Sequence, residues 1–362
     1  MLHDIVITLI GLFIGIFMLR LPRLEDSAPP AKVRISVIIP ARNEQHHIAA
    51  LINDLQTQTL TPWQIICVDD ASDDDTADTA KTAGASVVSA DERPEGWVGK
   101  TWACQTGAQT ATGELLLFLD ADVRLKPHAL ARLAALQQKN GGVVSVQPYH
   151  TVRRFFEHFS MYFNIIAANA TGLGLRFLKK KNGLFGPVML LPRSIYLSEG
   201  GHTKVKSKVL EDMRLGEHYA QQGIAVSLRT GRGSINYRMY PHSFGALYQG
   251  WTKNFFSGAV RVSVPLMLLV VVWVTAMSAV CFELARIAAG AAFVEALWLW
   301  APLYALCALN TGFAAKAVGN FRWWSAAVFP VFLLGFHILF LTSVFKRLVL
   351  RRVTWKGRRI RL

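Results

Sequence analysis

Glu114-Leu-Leu-Leu-Phe-Leu-Asp120-Ala-Asp122 decides the reading of this chain. Leu115 to Leu119 form an unbroken apolar run, the pattern of a strand buried on both faces of a sheet. The run ends in two carboxylates spaced two apart, which an extended backbone points to the same side. Open α/β sheets bind ligands beyond the carboxyl ends of their strands, so Asp120 and Asp122 stand where a substrate would lie. Two hard oxygen ligands there suit Mg²⁺ or Mn²⁺ carrying a diphosphate. A lone Asp-x-Asp also fits a solvated acidic turn, and the surrounding chain decides between the two.

Upstream, Ile35-Ser-Val-Ile-Ile39 is a second apolar run, stopped by Pro40. Ala-Arg-Asn-Glu44 opens a helix whose Ile48, Leu51, Ile52 and Leu55 recur at i, i+3, i+4 and i+7. Gln64 to Val68 is another strand, ending at Asp69-Asp70. The acids before Thr76 suit the first turn of a following helix, for which Gly84 is a natural stop. Ser86 to Ser89 makes a short third strand. Strands and helices alternating across short loops predict a parallel sheet with right-handed crossovers.

Gly96-Trp-Val-Gly-Lys100-Thr leads into a helix reaching about Ala111. A Walker A loop needs glycine where Pro94 stands, which excludes that motif, but a lysine opening a helix still suits a phosphate. Beyond Asp122 the pattern predicts a helix from near Pro127, a strand over Val143 to Gln147 and another over Leu184 to Leu191. A polar loop with Gly200, Gly201 and His202 precedes a helical stretch opened by Glu211-Asp212. Further strands are expected around 225–228 and 235–239.

The composition is split. From Gly258 to Phe345 the only charged residues are Arg261, Glu283, Arg286, Glu295, Lys316 and Arg322, whereas residues 31–257 read as a globular α/β domain. Glu295 inside an apolar run is best satisfied by a neighbouring helix. Residues 1–24 read as a membrane anchor, since Arg20 and Arg23 follow the apolar run and no cleavage site is evident. Those charges place the globular domain in the cytoplasm, at the cell membrane of a multi-pass protein. Three apolar segments follow residue 260, near 264–285, 291–315 and 325–345, within a membrane region of 258–345. Three crossings would carry the basic tail outside, so one segment is expected to lie in the interface or re-enter. The tail, 346–362, holds eight of the Lys and Arg residues behind the net charge of +15, and suits anionic lipid better than nucleic acid. Arg153 to Leu178, rich in Phe and Ile, fits an amphipathic helix in the membrane interface and a core helix about equally well. The four cysteines show no metal or disulfide spacing.

Acids thus end three segments, at Asp69/Asp70, Asp120/Asp122 and Glu211/Asp212, with Arg42 and Lys100 beside them in sequence order. A nucleotide-sugar site needs such groups: an acid for the nucleoside, a metal-bound acid at the diphosphate and a base for the acceptor. Val37-Ile-Ile-Pro-Ala-Arg-Asn-Glu44, Val68-Asp-Asp-Ala-Ser-Asp-Asp-Asp-Thr76, Asp120-Ala-Asp122 and Glu211-Asp212 resemble the ordered motifs of family 2 glycosyltransferases. That resemblance implies a GT-A fold, a Rossmann-like nucleotide-sugar-binding α/β domain, here joined to transmembrane helices. Gly99-Lys100-Thr-Trp-Ala-Cys104, Ser145-Val-Gln-Pro-Tyr-His150, Phe185-Gly-Pro-Val188 and Gly200-Gly-His202 are similar to members that glucosylate carotenoid acids.

The resemblance assigns Pro40, Arg42, Glu44, Asp69, Asp70, Lys100 and Asp120 to the nucleotide sugar, and Asp122 to the metal, Mg²⁺ or Mn²⁺. Asp212 would be the general base of an inverting displacement, with Glu211 the alternative. Trp251 and His202 are the acceptor-side candidates. Gln249-Gly-Trp251 departs from the Gln-x-x-Arg-Trp motif of processive synthases, which speaks against a polymerising enzyme. The implied reaction carries a sugar, glucose by resemblance, from a UDP-sugar to a lipid acceptor such as a carotenoid acid. A hopanoid or sterol-like alcohol, a polyprenyl phosphate or diacylglycerol are the other acceptors. An inactive membrane scaffold would not need every acidic motif complete, and a transporter would need more apolar segments.

Overall fold

The computed structural model describes residues 2–26, 32–90, 92–175, 181, 183–208, 210–350, 352–355 and 358–361; the last two stretches and residue 254 are described as backbone alone. The chain opens with α1 (Leu2–Leu19), β1 (Ile35–Ala41), α2 (Ile48–Gln56), β2 (Gln64–Asp69), α3 (Thr76–Thr82) and β3 (Ser86–Ser89). It continues with α4 (Gly99–Thr110), β4 (Leu115–Leu119), β5 (Val123–Leu125), α5 (Ala129–Asn140), β6 (Val143–Gln147) and β7 (Tyr149–His150). A 3₁₀ turn (Phe155–Ser160) leads into α6 (Met161–Ala170), followed by β8 (Val188–Pro192) and α7 (Arg193–Ser198). A second 3₁₀ turn (Gly201–Val205) precedes α8 (Glu211–Gln221), β9 (Val226–Thr230) and β10 (Ile235–Tyr237). Last come α9 (Phe244–Ala259), α10 (Val264–Ala288), α11 (Leu297–Val318), α12 (Trp323–Ala327), α13 (Phe329–Phe345), β11 (Arg352–Trp355) and β12 (Arg358–Arg361).

These elements form two compact units. One comprises Pro22–Tyr149 and Lys179–Arg238, the other Met1–Leu21, His150–Leu178 and Met239–Leu362. The units cut the chain differently from the expected boundaries, because α6 and α9 pack with the apolar helices.

The first unit is built on a seven-stranded sheet of order β3-β2-β1-β4-β8-β6-β9. Expected strand β4 sits at its centre with all five residues buried. Val37, Ile39, Leu117, Leu119, Val188 and Leu190 share one core cluster with Ile48, Leu51, Ile52 and Leu55 of α2 and Leu130 and Leu133 of α5. The alternate residues Ile38, Leu116 and Phe118 are just as buried, so both sheet faces are covered and the strand must be apolar throughout. The expected parallel sheet is in fact mixed: β8 runs antiparallel to both β4 and β6. Apolar runs do not encode strand direction, so the segment before Gly200 gave no sign of the reversal.

The second unit is helical. Four of its helices, Leu2–Leu19, Val264–Ala288, Val294–Val318 and Phe329–Leu350, are long and apolar enough to cross a membrane. Length and composition therefore single out none of the last three as the expected interfacial segment. Of the stretch 153–178, expected as an interfacial or a core helix, α6 has the burial of a core helix, while Phe155 ahead of it is 63% exposed. Met161, Tyr162, Phe163, Ile165 and Ala168 are all fully buried around the circumference of α6, which packs on α10, α11 and α13; an interfacial helix would keep one polar face open. Residues 176–178 of that segment lie outside the described residues. Glu295 is exposed in a short turn ahead of α11, rather than held by a neighbouring helix. In α10, Glu283 is buried and paired with Arg286 at 3.0 Å. The basic tail forms a hairpin, β11 against β12. Cys67, Cys104, Cys281 and Cys307 are free thiols.

Leu117, fully buried in β4, is the natural test of the sheet core. Leu117→Ala is expected to cost about 2–5 kcal/mol and to lower the unfolding midpoint in detergent by several degrees. Leu268→Ala, on the exposed face of α10 where Leu268 is 56% accessible, is expected to leave that midpoint unchanged.

Candidate active site

Because β1, β2 and β4 are parallel, their carboxyl ends share one edge of the sheet. Antiparallel β8 brings its start to the same edge, where the Pro187 carbonyl accepts a hydrogen bond from the Asp120 N–H at 3.1 Å. Sequence-distant acids thus meet at one place.

At the β1 and β2 exits, Asn43 and Ala71 both adopt positive φ, 53° and 52°. Asparagine tolerates the left-handed region, whereas for alanine it is strained. Side chains fasten the two loops to each other: Asn43 N–H donates to Ser72 Oγ at 3.0 Å, Glu44 N–H to Thr76 Oγ1 at 2.8 Å, and Asp73 N–H to Asn43 Oδ1 at 2.8 Å. Asp69 turns back to accept from the backbone and hydroxyl of Ser72. Arg42 donates to the Asp70 carbonyl at 2.9 Å and lies 3.6 Å from the Asp73 carboxylate. Pro40 is half-buried two residues earlier. Asp70 also presses on the first turn of α4. A Cβ at Gly99 would fall 2.0 Å from Asp70 Oδ2, so only glycine allows that approach. The carboxylate there faces the positive end of the α4 dipole.

In the first turn of α4, Lys100 Nζ lies 2.7 Å from Asp120 Oδ1 and 3.4 Å from Glu211 Oε1. Burial alone would depress this ammonium, but the charges of Asp120 and Glu211 outweigh it and hold the pKa well above its ordinary value. Asp122 is pushed up to about 7 by burial and by the charges of Asp120 and Glu44, against the pull of His47 and Lys100. Glu211 and Asp212 are both raised by burial, with Lys100 opposing it for each. Glu211 is the more enclosed of the two. Asp212 is half-buried, and its two oxygens accept N–H bonds from Gly186 at 2.9 Å and Met213 at 2.8 Å. A Cβ at Gly186 would lie 2.9 Å from Asp212 Oδ2, which explains the glycine beside the base candidate.

Among the described residues, no three His, Cys, Asp or Glu side chains converge as a ready-made metal cage. Asp122, crowded by Asp120 and Glu44, still suits a hard cation. Mg²⁺ in particular is commonly held by one or two carboxylates and completed by substrate phosphates and water.

Two acceptor-side candidates are corrected by their burial. His202 is fully enclosed, its Nδ1 2.7 Å from the Tyr196 hydroxyl and its ring edge-on to Phe118. Burial, and then the Lys100 charge, lower its pKa to about 3, so it is a neutral core imidazole. Trp251, in the helical unit, stacks on Phe163 at 4.5 Å and donates to Ser160 Oγ at 3.0 Å, so its indole is committed to packing. The sequence reading missed two side chains that neighbour these acids. His47 bonds Glu44 at 3.0 Å, an i, i+3 relation legible in principle. Arg93 comes within 3.8 Å of Asp70 from a loop with no pattern of its own.

The family model for glycosyl transferase family 2 matches residues 36–194. A 4,4'-diaponeurosporenoate glycosyltransferase of Staphylococcus haemolyticus is 32% identical over 338 residues, covering 90% of this chain and 88% of that protein. The Staphylococcus aureus protein of the same name is 34% identical over 249 residues, covering 66% of this chain and 65% of that protein. Among solved structures, a mannosyltransferase from Pyrobaculum calidifontis in complex with GDP-Man and Mn²⁺ superposes with a TM-score of 0.54 at 18% identity. That alignment covers 94% of this chain and 96% of that one, and the shared fold is of the GT-A type. Identity of this extent, with the acidic motifs gathered at one sheet edge, establishes that the chain belongs to glycosyl transferase family 2.

Proposed function

We propose that this protein is a membrane-bound, inverting glycosyltransferase that moves glucose from UDP-glucose to a lipid acceptor, a carotenoid acid such as 4,4'-diaponeurosporenoate. The site unit would face the cytoplasm at the cell membrane. The observation that carries this reading is the crowding of Asp120, Asp122 and Glu44 around the end of β4, where Lys100 pairs with Asp120 and a divalent cation would offset the remaining negative charge around Asp122. The names of the staphylococcal relatives support the acceptor.

In this reading Asp69 and Asp70 accept hydrogen bonds from the nucleoside, with Asp70 held by Arg42 and α4. Pro40 and Glu44 line the same edge. Asp122 would hold Mg²⁺ or Mn²⁺, which when bound supplies the charge that neutralises the departing diphosphate. Lys100 stays protonated and anchors Asp120, so the carboxylate beside the metal ligand keeps one orientation. Asp212, oriented by the Gly186 and Met213 N–H groups, takes the proton of a hydroxyl acceptor. A carboxylic acid acceptor is already ionised at neutral pH, and positioning then carries most of the rate. Glu211, enclosed and paired with Lys100, is the weaker base candidate.

The direct test incubates purified protein with UDP-glucose, Mn²⁺ and 4,4'-diaponeurosporenoate and identifies the lipid product by mass spectrometry; absence of any glucosylated lipid would refute the proposal. Asp122→Asn is expected to abolish cation-assisted UDP binding in calorimetry while leaving the unfolding midpoint nearly unchanged. Asp212→Asn is expected to cost about 100-fold or more in kcat with a hydroxyl acceptor and far less with a carboxylic acid; Glu211→Gln should cost less than Asp212→Asn with the hydroxyl acceptor. Protons and cation compete for Asp122, whose metal-free pKa is raised to about 7. Apparent metal affinity should therefore fall about tenfold per unit as pH drops below 7 and level off above it, as titration across pH 5–8 would reveal.

A further inference from the structure

The 3₁₀ turn Gly201–Val205 and the residues after it, up to Lys208, make a short basic loop that the proposed chemistry does not use. Lys204, Lys206 and Lys208 alternate along it, and all three are exposed. Its base is rigid. The Tyr196 hydroxyl accepts from the His202 N–H at 3.2 Å, and Val205 is buried. Its middle is pinned to the start of α4, where the Lys206 carbonyl accepts from Val98 N–H and from Thr101 Oγ1, each at 2.8 Å. Its end is three residues from Glu211-Asp212. Just before Val98, the half-buried Trp97 meets Trp102 edge-on at 5.2 Å, an apolar surface next to the pinned loop. Glu92 and Glu95 precede it in the chain, yet among the described residues no acid forms an ion pair with any of the three lysines.

We infer that residues 94–98 and 203–208 form a rim that recognises an anionic amphiphile, the lysines taking its carboxylate and Trp97 the apolar carbons next to it. This rests on the proposed function and specifies the acceptor's class. The physical need is plain. Glu44, Asp69, Asp70, Asp120, Asp122, Glu211 and Asp212 make the neighbourhood of the site acidic, which repels an anionic acceptor. A neutral alcohol would need no compensation, whereas a lipid acid gains from three ammonium groups that form no ion pair among the described residues. Pinning the loop at its base and middle limits the freedom of its backbone before binding and reduces the ordering cost.

The test uses full-length protein in phosphatidylcholine vesicles and compares wild type with the combined Lys204→Gln, Lys206→Gln, Lys208→Gln variant. A diazirine-bearing long-chain carboxylic acid and its matched primary alcohol are photo-crosslinked, and adducts are mapped by mass spectrometry. The wild type is expected to capture the acid at 94–98 or 203–208, and the variant about tenfold less of it. Capture of the alcohol there should be unaffected. UDP binding measured in parallel should not change. Equal loss of acid and alcohol, or an unaltered acid signal, overturns the inference. Weakened UDP binding assigns the lysines to the donor, and abolition of acid capture by phosphatidylglycerol assigns the rim to bilayer headgroups; either result also overturns it. None of these readouts needs turnover, so failure of the proposed reaction would be seen separately, as absence of glucosylated lipid.

Discussion

The Lys100 ammonium, held between Asp120 and Glu211, is the interaction on which the site depends. It joins three elements far apart in the chain: the first turn of α4, the exit of β4 and the start of α8. Without it, two carboxylates would share a poorly solvated space, and one would take up a proton. With it, the acid next to the metal candidate and the pair containing the base candidate are tied to one cation. Removing one partner of such a group is costly because the remaining charges stay enclosed and unpaired.

The rest of the architecture serves that cluster. Parallel β1, β2 and β4 put their acidic exits on one edge, and reversed β8 delivers the Gly186–Pro187 backbone there, where Asp120 and Asp212 both use it. Glycine at positions 99 and 186 lets carboxylates approach closer than any side chain would permit. The positive-φ residues Asn43 and Ala71 turn the chain sharply at two strand ends, and the hydrogen bonds between their loops hold that geometry. Local strain is thereby retained beside the site, where backbone atoms rather than long side chains set the shape.

In the helical unit, the packing of α6 shows how apolar surface was assigned. A stretch with Phe at 155, 156, 159 and 163 suits a membrane interface as well as a core. For α6 the choice fell to the core because α10, α11 and α13 pack against it. The Trp251–Phe163 stack belongs to that same packing. An aromatic residue carries no mark distinguishing a stacking platform from a filler, and only its neighbours decide.

The sequence alone determined the central strand, the amphipathic face of α2, the acidic strand exits and the apolar helices, since these follow from local periodicity and from residues adjacent in the chain. It also pointed to Lys100, through a glycine-rich helix start. Tertiary structure decided the reversal of β8, the approach of Arg93 to Asp70, the enclosure of His202 and Trp251, and the joining of Asp120 to Glu211 through one ammonium. Each of those depends on which distant side chains desolvate a group or supply its partner, and that information exists only once the chain has packed.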